Sequence, residues 1–357
     1  MNADPIDLLL EQPAFDTPPD ANFAEATAYC VRVLQDRFPR YREFLDVRSS
    51  DPIPAIFLPI LKSYPFALPP DMAITRTLTS SGTTGKPSLT PLDERSWDYR
   101  VRAMRQSYAA LGLLDGDATA LCFLMDPTTT QMAGSVVIDA VLRSVSQVKA
   151  VHYLARMTPS GPQFLAEEAP ALFTQAIARG PVVLVGYPAL ITAMMDGMAK
   201  LGRTSLPLPG GSRILTGGGW KSFLPGLALD RSEFRTKAAE FFGISPDSIR
   251  DMYGLSECPA VFVECEYRSY HVPLWCRAEA VDPETMQPEL DGRLGLLQLT
   301  CPLTLSYPLV KILTTDTAKI GRGCACGRSA PFIIPKGRVT AARFETCAMK
   351  IGEAVRY

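Results

Sequence analysis

The segment from Thr79 to Ser88, TSSGTTGKPS, combines hydroxyl side chains, glycines and one lysine. It offers several backbone N–H groups, several hydroxyl donors and a cation, which together suit an anion with many oxygens. The stretch therefore favours a phosphate-binding loop. The alternative is an ordinary surface turn rich in serine, threonine and glycine, because short motifs of this kind also arise without function.

The loop does not match the phosphate-binding pattern of the P-loop NTPases. Ser80 stands where that pattern has its first glycine, and Pro87 stands where it has a serine or threonine that holds Mg²⁺. Proline also disfavours helical geometry at Lys86, so the loop does not run through its lysine into a helix. The sequence therefore argues against a P-loop NTPase.

Three later segments are candidates for nucleotide chemistry. LTGGGWK, residues 215–221, has three glycines that let the backbone approach a flat ligand closely. DMYGLSE, residues 251–257, offers an aromatic ring, a hydroxyl and a carboxylate that can cover a base and hold Mg²⁺. In ILTTDTAKI the single acid, Asp316, can accept hydrogen bonds from a ribose. Each segment alone is also compatible with a plain turn or a core strand.

The elements that position these segments follow from the periodicity of the chain. Between residues 94 and about 254, helical and strand patterns alternate, and ATALCFLM at residues 118–125 is typical of a buried strand. Repeated strand–helix–strand units indicate a parallel sheet flanked by helices. After residue 255, short strands separated by proline and glycine turns predominate. We predict an α/β body over residues 1–254 and a small β-barrel-like module over residues 255–357.

Bulk composition narrows the class of protein. The 36 basic and 37 acidic residues nearly cancel, which argues against a nucleic-acid partner or a membrane-surface role. The N-terminal MNADPIDLLLEQP lacks the basic region of a signal peptide, and no uncharged apolar run is long enough for a membrane span. Nine cysteines without secretory features indicate reduced thiols, a metal site or a reactive residue. We therefore expect a cytoplasmic protein.

The order of the motifs resembles the adenylate-forming superfamily, which includes acyl-CoA synthetases and phenylacetate–CoA ligases. SSGTTGK, the glycine turn, YGLSE, the TxD of Asp316 and a closing Gly337–Arg338 carry the resemblance over roughly residues 50–340. It implies a large α/β domain in which a carboxylic acid attacks the α-phosphate of ATP and releases pyrophosphate. Such chemistry requires charge stabilisation on phosphate and placement of the acid.

The resemblance also implies a role for each matched residue. The residues expected to bind ATP are Ser81, Gly82, Thr83, Thr84, Gly85, Lys86, Gly217, Gly218, Gly219, Tyr253, Gly254, Ser256, Asp316 and Arg338. The hydroxyl-rich loop with Lys86 would hold the β- and γ-phosphates, and the glycines with Tyr253 would frame adenine. Ser256 would contact the α-phosphate and Glu257 would hold Mg²⁺. Asp316 would bind the ribose, and Arg338 the ribose or a phosphate.

Within the superfamily, VECEYRSYH and CACGR resemble the metal motif of the phenylacetate–CoA ligase branch. By that resemblance Cys265, His271, Cys324 and Cys326 would bind a structural Zn²⁺, since three thiolates and one imidazole suit a closed tetrahedral site. Their C-x5-H and C-x-C spacing is not the commonest zinc-finger spacing. The alternative is a set of buried thiols and a hairpin histidine.

Two departures from the ligase pattern point to a narrower group. Lys311 replaces an arginine and Thr315 a glycine in the RYRTGD pattern before Asp316. The chain also ends at Tyr357, nineteen residues after Arg338, whereas full-length adenylating enzymes continue for about a hundred residues into a lid domain. We therefore expect this lid to be missing.

That length, with GGGWK, resembles the acyl-protein synthetases, such as the synthetase subunit of the luciferase-associated fatty-acid reductase. The resemblance implies that the acyl group passes to a cysteine near the C terminus and then to a partner reductase. Cys347 occupies that region and would join Lys86 and Glu257 as a catalytic residue. The alternative is that Cys347 is a small apolar residue without chemistry.

Other functions stay open on the sequence. An acyl- or aryl-CoA ligase whose lid is supplied by another chain would release free acyl-CoA when coenzyme A is added. A non-catalytic nucleotide-binding protein would bind ATP without exchanging pyrophosphate. The sequence does not identify the carboxylic acid, and it leaves open whether the final acceptor is a protein thiol, a carrier protein or coenzyme A.

Overall fold

The computed structural model describes residues 4–16, 20–46, 52–80, 87–218 and 229–339. The helices within these ranges are α1 (Pro5–Leu10), α2 (Asp20–Arg37), α3 (Pro39–Leu45), α4 (Leu58–Ser63), α5 (Glu94–Ala109), α6 (Ala133–Ser144), α7 (Ala169–Arg179), α8 (Pro188–Lys200) and α9 (Arg231–Phe242). The strands are β1 (Ile56–Phe57), β2 (Arg76–Thr79), β3 (Leu89–Leu92), β4 (Ala118–Met125), β5 (Val148–Thr158), β6 (Gly161–Phe164), β7 (Val182–Gly186), β8 (Arg213–Gly217), β9 (Ile249–Gly254), β10 (Val261–Glu264), β11 (Tyr270–His271), β12 (Arg277–Val281), β13 (Gly295–Thr300), β14 (Lys311–Gly321) and β15 (Phe332–Arg338).

The chain divides into two compact units. The terminal unit comprises Met1–Ala73 together with Ser269–Tyr357, and the inserted unit comprises Ile74–Arg268. The predicted division into an α/β body over residues 1–254 and a small β module over residues 255–357 stays a prediction.

A largely parallel sheet forms the inserted unit. Its strand order is β10-β9-β8-β7-β4-β5-β6, in which β9, β8, β7, β4 and β5 are parallel. β10 and β6 add to the two edges as antiparallel strands, and β2 and β3 form a separate hairpin. Helices α6, α8 and α9 each connect one parallel strand to the next. This architecture confirms the predicted α/β fold, and it brings the carboxyl ends of the parallel strands to one edge.

The core of the inserted unit follows from the apolar strands. All eight residues of β4 are buried, and the Phe123 ring lies 6.1 Å from the Phe164 ring and 6.2 Å from the Phe173 ring. Strands buried on both faces are typical of parallel sheets covered by helices. Helix starts are also marked in the sequence, because the Asp93 carboxylate accepts from the Ser96 backbone N–H at the start of α5.

An antiparallel sheet in the order β12-β13-β14-β15-β11 organises the terminal unit, and β1 pairs with β14 in parallel. The pairing of β14 with β15 sets Asp316 directly opposite Arg338. Aromatic side chains from distant segments pack together, with the rings of Phe38, Phe66 and Tyr307 in edge-to-face contacts. Among the described residues, no helix has both the length and the apolarity needed to cross a membrane.

Candidate nucleotide-activation site

The hairpin of β2 and β3 carries the predicted phosphate loop. Its strands pair from Arg76↔Leu92 to Thr79↔Leu89, and the pairing continues because the Ser80 N–H donates to the Ser88 carbonyl (3.1 Å). The Ser88 N–H in turn donates to the Ser80 hydroxyl (2.9 Å). The two serines therefore close the base of the loop. Its residues 81–86, including Lys86, lie outside the described residues.

The Glu257 carboxylate lies just past the end of β9 and is held by two hydroxyl groups. Ser88 Oγ donates to Oε1 in a very short contact, and Ser256 Oγ donates to Oε2 (2.7 Å). The two hydroxyl oxygens are 3.4 Å apart. Although all three side chains are buried, the carboxylate is satisfied, because hydrogen bonds to the charged form offset the cost of burial. The structure thus joins the predicted Ser256 and Glu257 to the end of the phosphate-loop hairpin.

This donor set fits the expected magnesium ion. A carboxylate with two neighbouring hydroxyl groups offers oxygen ligands only, which a hard cation such as Mg²⁺ prefers. Mg²⁺ also keeps several waters and is bound by one or two carboxylates together with phosphate oxygens. A single buried Glu257 beside a phosphate loop is therefore a suitable protein contribution.

The expected adenine frame is described in part. Gly217 ends β8 opposite Met252, and a Cβ placed on it would lie 3.4 Å from the Met252 carbonyl oxygen. Gly218 has φ +72°, a left-handed conformation that favours glycine. Tyr253 follows Met252 on β9, and its ring lies 5.9 Å from the Phe262 ring. Gly219 lies outside the described residues. The described part of the expected adenine frame therefore consists of the ends of β8 and β9 with Tyr253.

Asp316 and Arg338, the residues expected at the ribose, are neighbours within the terminal unit. Arg338 Nε donates to Asp316 Oδ1 over 2.5 Å, and the Asp316 backbone N–H donates to the Thr314 hydroxyl (3.1 Å). Asp316 is buried, whereas the Arg338 side chain is half-exposed. The sequence separation of 22 residues is thus closed by strand register, which sets the two side chains side by side.

The predicted zinc ligands of the terminal unit come together at a turn. His271, Cys324 and Cys326 place their ligand atoms within 4.8 Å of one another. The His271 Nδ1 lies 3.1 Å from the Ala330 carbonyl and its Nε2 lies 3.1 Å from Cys326 Sγ. A carbonyl at Nδ1 favours the proton there and leaves the Nε2 lone pair for a metal, as in many metal sites. Thiols and imidazole are ligands that suit Zn²⁺.

Cys265, the fourth predicted ligand, belongs to the inserted unit. Its Sγ accepts a hydrogen bond from the Tyr267 N–H (3.3 Å), and its side chain is buried. Gly323 and Gly327 flank Cys324 and Cys326 with φ +69° and +81°. Such left-handed positions favour glycine and allow two cysteines to face one point.

A charged network that sequence reasoning missed borders a cavity of about 390 Å³ in the inserted unit. Asp251 accepts from the Thr216 hydroxyl (2.7 Å) and from Arg231 (3.1 Å). Glu264 accepts from Arg235 (2.9 Å) and from the Asp251 N–H (3.0 Å). Burial raises the pKa of Glu264 above its ordinary value, although Arg235 opposes that shift. The network ties β9 and β10 to α9.

Sequence reasoning also missed three residues that contact the Ser256–Glu257 turn: Ser88, Thr90 and Arg100. A weak signal was present for two of them, because polar residues at alternating positions 88 and 90 of a strand lie on one face. Arg100 gave no such signal, since it is one of several arginines in a charged helix. Cys347, the predicted acyl acceptor, lies outside the described residues.

Comparison with known proteins identifies relatives of this chain. The family profile described as "Acyl-protein synthetase, LuxE" matches residues 43–356. A long-chain-fatty-acid–luciferin-component ligase of Aliivibrio fischeri is 34% identical over 148 residues, 41% of this chain and 38% of that protein. The ligase of the same name from Vibrio harveyi is 32% identical over 48% of this chain and 45% of that protein. The aligned segments therefore span less than half of either relative.

Two further likenesses cover more of the chain. A phenylacetate–coenzyme A ligase of Thermus thermophilus is 25% identical over 90% of this chain and 71% of its own length. A solved structure of 2-hydroxyisobutyryl-CoA ligase, with an acyl-adenylate and CoA, matches 90% of this chain and 76% of its own with a TM-score of 0.66 and 16% identity. The structural likeness establishes the fold. Because the family profile matches most of the sequence, the chain belongs to the acyl-protein synthetase (LuxE) family.

Proposed function

We propose that this protein activates a carboxylic acid with ATP and then transfers the acyl group to a cysteine thiol. In the first step a carboxylate oxygen attacks the α-phosphorus of ATP, the bond to the β-phosphate oxygen breaks, and pyrophosphate leaves. The observation that carries the proposal is the buried Glu257 carboxylate, held by Ser88 and Ser256 at the end of the phosphate-loop hairpin. The family assignment supports the same reaction.

Different residues are proposed to have different roles in the first step. The loop of Ser81–Lys86 is proposed to hold the β- and γ-phosphates, and Lys86 to stabilise the charge that grows on departing pyrophosphate. Ser256 is proposed to contact the α-phosphate, with its hydroxyl turned from Glu257 to the phosphate oxygen when ATP is bound. Mg²⁺ on Glu257 would supply charge neutralisation across the phosphate oxygens. These groups bind and orient, which is most of what phosphoryl chemistry requires of a protein.

Asp316 and Arg338 are proposed to take the ribose. Asp316 accepts from Arg338 at Oδ1, and a carboxylate has lone pairs for further donors such as ribose hydroxyls. Arg338 is half-exposed, and its guanidinium is proposed to contact a ribose or phosphate oxygen. The glycines at 217–219 and Tyr253 are proposed to frame the adenine.

In the second step the Cys347 thiolate is proposed to attack the acyl carbonyl of the adenylate. The thioester bond forms as the bond between carbonyl carbon and phosphate oxygen breaks, and AMP leaves. A thiolate is a strong nucleophile, and the thioester stays activated for transfer to a partner protein such as a reductase or carrier. The names of the two luciferin-component ligases make a long-chain fatty acid the first substrate to try.

A structural Zn²⁺ is proposed at His271, Cys324 and Cys326, with Cys265 as the fourth ligand by its place in the motif. The His271 ring, oriented by the Ala330 carbonyl, supports this proposal. With four protein ligands no position is left for water, so this metal would stabilise the fold and take no part in the reaction.

Intact-protein mass spectrometry tests the proposal. We expect the protein, with ATP, Mg²⁺ and a panel of fatty acids, to gain one acyl mass that hydroxylamine removes. Cys347→Ala is expected to lose this adduct and to keep acid-dependent ATP–pyrophosphate exchange. Cys30→Ala is a matched control, because that thiol is buried and donates to the Thr304 carbonyl. An adduct that persists in Cys347→Ala would contradict the assigned acceptor, and absence of exchange with every acid would contradict the activity.

One alternative has support from a specific observation, the likeness to a phenylacetate–coenzyme A ligase over 90% of this chain. A ligase of that kind would pass the acyl group to coenzyme A, with a lid supplied by another chain. Addition of coenzyme A to the same reaction separates the two functions. Free acyl-CoA formed at the expense of the protein adduct would favour the alternative.

A further inference from the structure

The peptide that joins Ser256 to Glu257 is held by two buried donors. Arg100, on α5, donates from its guanidinium to the Ser256 carbonyl over 2.7 Å, and the Thr90 hydroxyl on β3 donates to the same oxygen over 3.3 Å. Arg100 is 3% exposed and Thr90 is fully buried. These donors lie 156 and 166 residues before Ser256 in the sequence. The turn is therefore fixed by tertiary contacts and not by its own sequence.

The same hairpin also reaches the side chain of Glu257. Ser88 directly precedes β3 and Thr90 lies within it, and both side chains contact the segment of Ser256 and Glu257. Ser88 contacts the Glu257 carboxylate, and Thr90 contacts the carbonyl oxygen of the preceding residue, Ser256. The phosphate-loop hairpin thus sets both the backbone and the carboxylate of this residue, and α5 adds a charged donor to the backbone contact.

We propose that Arg100 and Thr90 are positioning residues that set the Glu257 carboxylate for the Mg²⁺ that accompanies ATP. They act through the Ser256 carbonyl, whose orientation determines where the Glu257 side chain begins. The inference rests on the proposed function for the identity of the bound group. Partners that orient a metal ligand typically change metal affinity or activity by about 10- to 100-fold when they are removed.

The chemistry of the guanidinium favours a positioning role for Arg100 over a purely structural one. Burial of a charge costs free energy, and an apolar replacement of similar size is often tolerated by the fold. In Arg100→Met the Ser256 carbonyl keeps its hydrogen bond from Thr90, so the variant is expected to fold. Lysine is a compact point charge and lacks the planar fork of arginine, so Arg100→Lys should restore only part of the function.

Direct cation binding tests the inference apart from turnover. Mn²⁺ serves as the probe, with its free concentration followed by electron paramagnetic resonance in the presence of a non-hydrolysable ATP analogue. We expect Arg100→Met to weaken Mn²⁺ binding about 10- to 100-fold, and Thr90→Val about two- to tenfold, as for one neutral hydrogen bond. The Mg²⁺ concentration that gives half-maximal pyrophosphate exchange should rise in the same order.

Two variants provide matched controls. Arg102→Met removes a guanidinium from the same helix, where Arg102 pairs with Asp98 (3.2 Å). Thr119→Val removes a buried hydroxyl at the start of β4. Both should bind Mn²⁺ with wild-type affinity. If Arg100→Met fails to fold, Thr90→Val decides, since it removes one donor without change of volume.

Mn²⁺ affinity and pyrophosphate exchange test the inference and the proposed function separately. Wild-type Mn²⁺ affinity in both Arg100→Met and Thr90→Val would overturn the inference, even in a protein that exchanges pyrophosphate. Weakened Mn²⁺ binding in these two variants alone would support it, even if the wild-type protein exchanges no pyrophosphate with any acid. That second result would refute the proposed activity and leave the positioning role in place.

Discussion

Two regions of this chain hold polar side chains together in opposite ways. Around Glu257 both carboxylate oxygens accept from hydroxyl groups of the chain, so the carboxylate and its two side-chain partners offer oxygen atoms. Around His271 the ring is fixed by a backbone carbonyl at Nδ1, and Nε2 faces a thiol. Hydroxyl contacts can be exchanged for a hard cation and its waters, whereas thiols and imidazole suit a soft, permanently bound ion. The first arrangement fits a site that changes during a reaction, and the second fits a structural one.

The largest expected effect comes from removal of the charge at the oxygen-rich site. Glu257→Gln keeps the size of the side chain and one accepting oxygen, but it removes a full negative charge from the expected cation. We expect acid-dependent pyrophosphate exchange to fall about 10²- to 10³-fold, as for the loss of one preorganised electrostatic group. The melting temperature and zinc content should stay close to those of the wild type.

Glu240→Gln, at an exposed position of α9, is the matched control for this charge change and should exchange normally. A Glu257→Gln protein that exchanges pyrophosphate at the wild-type rate would show that the carboxylate has no part in the first step. The contrast between the two regions would then lose its functional meaning.

The thiol-rich region is expected to show the reverse behaviour. Cys326→Ser removes the thiol that faces His271 Nε2, so metal content and stability should fall together because metal binding energy is also folding energy. We expect a loss of about 4 kcal/mol or more in the free energy of unfolding, measured by denaturant titration beside elemental analysis. Exchange per folded molecule should change little. The absence of stoichiometric zinc from the wild-type protein would contradict a structural metal site in this region.

A smaller, pH-dependent effect is expected at the network beside the cavity. Burial raises the pKa of Glu264 above its ordinary value of 4.5, so the native state holds this proton more tightly than the unfolded chain. The resulting stability is present below the unfolded pKa and is lost as pH rises through the folded pKa. Relative to Glu264→Gln, the wild-type protein should therefore lose free energy of unfolding as pH rises from about 4.5.

Urea titrations of the two proteins at matched pH values measure this difference. A constant difference across pH would mean that the Arg235 pair (2.9 Å) offsets the burial of Glu264 fully. The comparison is informative because Glu257, a few residues earlier, is also buried, yet both of its carboxylate oxygens accept from hydroxyl groups.

Much of the fold could be predicted because strong local patterns coincide with tertiary burial. ATALCFLM is β4 over its full length, and the helical and strand patterns expected between residues 94 and about 254 correspond to α5 to α9 and β4 to β9. One of the short strands expected after residue 255 is β11, in which regular pairing is limited to Tyr270 and His271. Pro273 lacks the N–H that a ladder requires, which accounts for the early end of this strand.

Residues of the candidate site could be predicted where a single sequence motif contains them. They could not be predicted where their role depends on contacts between segments that are distant in the sequence. Glu257 and Ser256 stand in a recognisable YGLSE segment, and Asp316 meets Arg338 as the motif order implies. Thr90 and Arg100 contact the Ser256 carbonyl from more than a hundred and fifty residues away. No local pattern encodes such a pairing, because it depends on how α5 and β3 pack in the finished unit.

The terminal unit is formed by two segments that are separated in the sequence by the inserted unit, and this arrangement has a consequence for biosynthesis. Ile56 pairs with Ile312, and the Cys30 thiol donates to the carbonyl of Thr304, 274 residues later. Residues 74–268 therefore leave the ribosome, at about 5–20 residues per second, before the partners of the N-terminal segment exist. Helix α2 meanwhile carries apolar side chains such as Phe23 and Leu34, which are buried only in the finished protein. Contacts of such long range form late, so in refolding followed by pulsed hydrogen exchange the amides of β4 and β7 should gain protection before those of β1 and β14.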